Sequence, residues 1–175
     1  EEDRREEVLR ANEYAARWVA GTVLYKLNSY HDVVANAARD FPPELYAPLR
    51  QKLESKVGGV MESYCRKLIE QQVVSGGQAP FDGFFILDSD GRTHARWRPP
   101  YYGEDYLGKN YAWRDYFIGA RKLGEAKLRG AYISRSILSE ASQTRRFTIS
   151  APIYDEMGAF IGVVAAMTDT GKTLG

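Results

Sequence analysis

The residues best suited to chemistry lie between Leu107 and Phe117, LGKNYAWRDYF. There one arginine, Arg114, stands among the rings of Tyr111, Trp113, Tyr116 and Phe117, directly after a Gly-Lys-Asn turn signal. A guanidinium is always charged, and its planar fork of donors matches a carboxylate bidentately. An arginine set in an aromatic wall therefore suits an anion receptor. The same residues suit a plainer arrangement, a surface arginine stacked on a neighbouring ring and bridged to Asp115 or a nearby glutamate, of the kind that contributes little. The segment alone leaves both open, and the elements around it have to decide.

Other chemistry finds less material. The chain has two histidines, His31 and His94, and one cysteine, Cys65, so no metal cluster, Cys-His pair or internal disulfide is indicated. There is no Gly-x-Ser-x-Gly elbow, Walker loop or dinucleotide fingerprint, so no catalytic residue and no cofactor is expected. Asp88-Ser89-Asp90-Gly91 looks like the start of a calcium loop but lacks the later carboxylates, and reads as a hairpin turn. With 24 Lys+Arg against 23 Asp+Glu the net charge is +1, which gives no global field for nucleic acid or an anionic surface. Arg4-Arg5 and Arg145-Arg146 are too short to count as basic tracts.

At 175 residues the chain fits one domain with a core of its own. No run approaches the roughly 18 apolar residues of a spanning helix, and the start does not read as a signal peptide. The chain opens without methionine, in EEDRREE, and stops soon after a strand-like segment, the look of a domain cut from a longer protein.

Residues 1–40 contain no proline and a single glycine, and read as one long helix, about 55 Å if unbroken. One apolar stripe runs Val8, Ala11, Ala15, Trp18, Thr22, Tyr25. Another runs Leu9, Asn12, Ala16, Val19, Val23, with Tyr30 and Val33 following. Two stripes suggest one for the domain and one for a second copy of the helix, hence a homodimer; a helix lying in a groove of its own domain is the alternative. Phe41-Pro42-Pro43 ends it. A second helix is expected over 43–74, through Leu49, Leu53, Val57, Val60, Tyr64 and Leu68, weakened at Gly58-Gly59. Residues 81–170 then read as strands at Phe84–Asp88, Arg92–Arg98, Gly130–Ser136, Arg145–Tyr154 and Phe160–Thr168, with a short helix continuing the Arg114 segment to Leu128. The expected fold is α+β: a five-stranded antiparallel sheet flanked by the long N-terminal helix and the second helix.

Four phrases, in this order, resemble Cache domains: Phe84-Phe85-Ile86-Leu87-Asp88-Ser89-Asp90-Gly91, the Gly108–Phe117 segment, Gly130-Ala131-Tyr132-Ile133-Ser134, and Ile149 to Val164. Cache domains are PAS-like extracytoplasmic sensor modules of bacterial chemoreceptors, sensor kinases and cyclic-di-GMP enzymes. The Gly108–Phe117 wording is similar to the Gly-x-Asn-Tyr-Ala-Phe-Arg-x-Tyr-Phe phrase of dicarboxylate sensor kinases. The resemblance covers Phe84 to Asp169. It implies a PAS-like, non-enzymatic domain on the periplasmic side of the inner membrane, anchored to it in the full-length protein. It also implies a ligand pocket on the helical-insertion side of the sheet, with Arg114 and Tyr116 on the wall, Tyr132 and Ser134 on the third strand, and the last strand as floor. Trp97, Tyr111 and Trp113 supply aromatic surroundings.

Two departures bear on the ligand. Where dicarboxylate sensors place a lysine on the final strand, this chain has Met167, and the only acidic candidate for an amino group, Asp169, ends that strand. The expectation is a small monocarboxylate such as acetate, propionate or lactate, its alkyl end against Met167. A dicarboxylate, an amino acid, or a ligand-free module that only meets protein partners are the alternatives. Dicarboxylate sensors also carry two PAS-like modules in tandem, whereas the residues after Val74 suffice for one.

Overall fold

The computed structural model describes residues 2–53, 59–72, 79–97, 107–138 and 144–171. Helix α1 spans Glu2–Arg39 and stops before Pro42, whose extended backbone opens a 3-10 turn at Pro43–Leu45. Tyr30, Val34, Ala37 and Ala38 bury one face of its last turns, while Val8, Leu9, Tyr14, Trp18, Val19, Leu24 and Tyr25 are exposed. Neither stripe read in the sequence covers the domain before Tyr30: the helix projects beyond the core, and among the described residues upstream Thr22, Val23, Lys26 and Leu27 are half-covered.

The expected second helix is two. Helix α2, Tyr46–Arg50, ends where Lys52 takes φ 53, and helix α3, Val60–Gln71, starts from Gly59 in extended conformation. A left-handed lysine cannot continue a helix. Val57 and Gly58 lie outside the described residues, as do the expected end of the second helix at Val74 and the Pro99–Gly103 stretch.

Six strands follow: β1 Gly83–Asp88, β2 Thr93–Trp97, then, after helix α4 at Asp115–Glu125, β3 Tyr132–Ile133, β4 Ile137–Leu138, β5 Arg145–Tyr154 and β6 Phe160–Asp169. They form one antiparallel sheet in the order β2-β1-β6-β5-β3, with β4 also on β5. Of the third expected strand only Tyr132–Ile133 forms, and β4 is an additional short strand beyond its expected end. The Ser134 hydroxyl accepts the Thr148 amide at 2.8 Å, a side chain taking over a ladder bond where the backbone leaves the sheet.

Both faces of the sheet are covered, which explains why Phe84-Phe85-Ile86-Leu87 is continuously apolar rather than alternating. Phe84, Ile86, Ile149, Ala151, Val164 and Ala166 face the core under α1, α2 and α3. Phe85, Leu87, Val163 and Ala165 face a smaller cluster under α4. The last strand in sequence, β6, lies between β1 and β5 in the middle of the sheet and so touches both layers.

Candidate ligand-binding site

Arg114 is carried to its place by the β1–β2 turn. Asp88 is completely buried there: its Oδ1 accepts the amides of Asp90 at 2.8 Å and Arg92 at 3.0 Å, and its Oδ2 lies 2.9 Å from His94 Nε2. Burial alone would push this carboxyl up, but the bonds from His94 and the amides of Arg92 and Asp90 outweigh it and hold Asp88 below its ordinary range. The turn then receives the Gly-Lys-Asn segment. Gly108 donates to Thr93 O at 2.8 Å, Thr93 donates to Lys109 O at 2.9 Å, and Tyr111 donates to Gly91 O at 2.8 Å. Asn110 adds its amide to Asp90 O at 3.0 Å. Gly91 has φ +82, and a Cβ there would stand 2.7 Å from the Ala112 nitrogen, so both conformation and space require glycine.

Helix α4 begins directly after Arg114, which sits at its N-cap in extended conformation while its carbonyl accepts the amides of Phe117 at 3.1 Å and Ile118 at 3.0 Å. The guanidinium lies 4.0 Å over the Trp113 ring. That stacking belongs to the plainer reading of the sequence, but the bridge to Asp115 does not accompany it. Asp115 turns its carboxylate to the amides of Tyr116 at 2.9 Å and Arg135 at 2.8 Å, tying the start of α4 to the segment after β3.

The strand register states which side chains share the α4 face, because directly paired residues of antiparallel strands project to the same side. One row crosses the whole sheet: Arg96, Phe85, Ala165, Ser150, Tyr132. The next contains Met167 and Thr148, and the one after it Asp169 and Arg146. Over the first row stands Tyr116, buried edge-on against Phe85 with ring centroids 5.6 Å apart. Burial raises the Tyr116 phenol well above its ordinary range, with Tyr111 acting in the same direction, while Arg114 and Arg96 oppose both. The Tyr116 hydroxyl thus stays protonated and able to donate. Ser150 Oγ donates to Tyr116 O at 2.7 Å, and the Tyr132 ring lies so close to Gly119 that a Cβ there would stand 2.2 Å from it. Arg146 is buried, with Nη1 3.7 Å from the Met167 sulfur.

Of the residues singled out in the sequence, Tyr116, Tyr111, Tyr132 and Met167 come together on or over this face, and Arg114 stands at the start of the helix that covers it. Trp113 is exposed and backs Arg114 from outside. Ser134 is adjacent, but its hydroxyl is engaged, accepting from Thr148 and donating to Arg135 O at 3.0 Å. Trp97 does not join them. It pairs with Phe84, so it projects to the opposite face, packs on the main core and carries the Arg66 guanidinium 5.6 Å from its ring centroid. One residue of strand parity separates it from Arg96, which does face the site and which the sequence reading passed over, together with Arg146, Thr148 and Ser150. Among the described residues no three His, Cys, Asp or Glu side chains gather as a metal would need.

No protein-family model matches the chain, and no curated protein does. Solved structures do. The V. cholerae histidine kinase DctB sensor domain superposes with a TM-score of 0.71 at 18% identity, over 96% of this chain and 58% of that one. This is the fold of Cache-type sensor domains. The Cache likeness extends to the Campylobacter jejuni chemoreceptor Tlp3 ligand-binding domain in complex with L-valine, TM-score 0.63 at 15% identity, over 96% of this chain and 62% of that one. It extends also to the E. coli DcuS sensor domain, TM-score 0.52 at 14% identity, over 89% of this chain and 93% of that one. The chain therefore spans about three fifths of the DctB and Tlp3 domains. These solved proteins are by name sensor or ligand-binding domains.

Proposed function

We propose that the chain is the extracytoplasmic ligand-binding module of a bacterial transmembrane signalling protein, and that it takes a small organic carboxylate on the α4 face of its sheet. The observation that carries this is Arg114, backed by Trp113 at the start of the helix that sets Tyr116 over the sheet row containing Phe85 and Arg96. A carboxylate entering such a site gives up hydration worth several kcal/mol and requires a fixed cation and donors in exchange. A guanidinium carried by a backbone that is itself hydrogen-bonded to a hairpin turn supplies one.

For the ligand's other end two versions follow. With Met167 and Ala165 as floor, a monocarboxylate rests its alkyl end on apolar atoms. For acetate, a ceiling of about 1.5 kcal/mol per heavy atom limits affinity to roughly tens of micromolar. Arg96 and Arg146, both on this face, favour a dicarboxylate instead, since they provide cations beyond Arg114 that the final-strand methionine does not.

In the signalling protein, the ligand draws the 107–114 segment onto the sheet, and the central strand β6 passes the change to α1, whose exposed Trp18, Leu24 and Tyr25 meet a second copy near a membrane anchor. The shift is bounded by the ligand's differential affinity for the two states.

Thermal denaturation with acetate, propionate, lactate, succinate and malate tests the reading. At 100 times Kd a ligand adds about 2.7 kcal/mol, which raises Tm by roughly 5–10 °C in a domain of this size. A shift with monocarboxylates alone supports the first version. A shift with succinate that Arg96→Met removes supports the second. Absence of any shift across the series contradicts the carboxylate reading.

A further inference from the structure

The edge strand β3 is held by few bonds, and one of them comes from the long helix. Its ladder to β5 pairs only Tyr132 with Ser150 and Ile133 with Ile149. Just before it, past Gly130 at φ +130, the Ala131 amide donates to His31 Nε2 at 3.0 Å. The other ring nitrogen, Nδ1, lies 3.1 Å from Asp32 Oδ1. Because an amide can only donate, Nε2 must carry the lone pair, so the ring proton sits on Nδ1 and points to Asp32. The next residue along the strand, Tyr132, lies against Gly119 of α4. His31–Ala131–Tyr132 is thus a short path from α1 to the face described above.

We propose that the His31–Ala131 hydrogen bond is an acid-sensitive tie between the long helix and the edge strand, made when His31 is neutral and released when it is protonated. Protonation places a second N–H opposite the Ala131 N–H, and two donors 3.0 Å apart repel. Histidine is the side chain whose charge ordinarily changes between neutral and mildly acidic pH. Asp32 of its own helix meets the ring at Nδ1. The charged and titratable groups lining the cleft alongside are Arg39 of α1, Tyr46 of α2, Arg129 before β3, Tyr154 of β5 and Asp155 of the following turn. The His31 side chain is 34% exposed, so protons reach it without unfolding the domain.

The proposal bears on the ligand reading only through Tyr132, and its test uses no ligand. Amide hydrogen exchange at Ala131, corrected for intrinsic rate, is followed by NMR from pH 8 to pH 5 together with the His31 ring shifts. Protection in the wild type is expected to fall about tenfold, the worth of one hydrogen bond, with the midpoint of the ring titration. His31→Gln, whose amide oxygen accepts the same bond without titrating, is expected to hold its protection flat, and His31→Phe to lack it at both ends. Wild-type protection that is constant through the ring titration, a ring that does not titrate in this range, or a Gln variant that loses protection at the wild-type midpoint would each overturn the proposal. The ligand reading fails or stands separately, on the thermal series above.

Discussion

Replacing Asp88 should loosen the segment that presents Arg114. The carboxylate accepts the amides of Asp90 and Arg92 and meets His94, all out of water. Asp88→Ala strips these groups of their partner, and a buried donor left alone costs about 1–3 kcal/mol, so the expected loss is roughly 3–6 kcal/mol once the partners relax together. Asp88→Asn keeps the shape. Its oxygen accepts both amides and its NH2 faces His94 Nε2, so a neutral His94 restores a weaker bond and the loss is about 1–3 kcal/mol. The pH dependence follows from the same bonds. A carboxyl held below its unfolded value adds stability that is fully present above that value, about 3.9, and is lost as pH falls through the folded value. Below pH 5 the gap between wild type and Asp88→Asn should therefore narrow toward pH 3. Urea denaturation at pH 7, 5 and 3.5 measures all of this. A loss under 1 kcal/mol for Asp88→Ala at pH 7, or a gap that widens between pH 5 and 3.5, refutes the reasoning.

Gly91→Ala forces a side chain into the left-handed region and against the Ala112 backbone, and should cost about 1–3 kcal/mol while weakening carboxylate binding, both read by titration of the folded variant. Wild-type stability with unchanged binding would mean that the turn does not position Arg114. Trp18 is 73% exposed on the projecting part of α1. Trp18→Glu is expected to weaken self-association at least about tenfold by analytical ultracentrifugation, as charge in an apolar helix seam should. A domain that is monomeric at high concentration, or a dimer indifferent to this change, would remove α1 from the interface.

Much of the fold was legible because its signals are local. Proline after Asp40, Ser89-Asp90-Gly91 and Asp155-Glu156-Met157-Gly158 each mark a boundary by backbone chemistry, and the structure turns at all of them. The second helix broke because an apolar stripe cannot reveal that Lys52 goes left-handed, a choice made together with its pairing to Asp90 across the fold. The site was half legible for a related reason. Arg114 and Tyr116 announce themselves by neighbours in sequence, whereas Arg96 acquires its meaning from Phe85, eleven residues away, through strand register. Had Arg92 to Arg98 been paired with Phe84 to Asp88 on paper, the parity would have exchanged Trp97 for Arg96. His94 read as an ordinary strand residue because nothing nearby in sequence says that Asp88 is sealed from water.

Calorimetric titration of the domain, dialysed free of carboxylate buffers, against propionate and succinate in wild type and Arg114→Ala tests the central claim most directly. The account predicts saturable binding of at least one of them, weakened about tenfold or more by the variant while the fold persists, since a charged hydrogen-bonding partner is worth about 1.5–3 kcal/mol. Binding of equal strength in Arg114→Ala would contradict it.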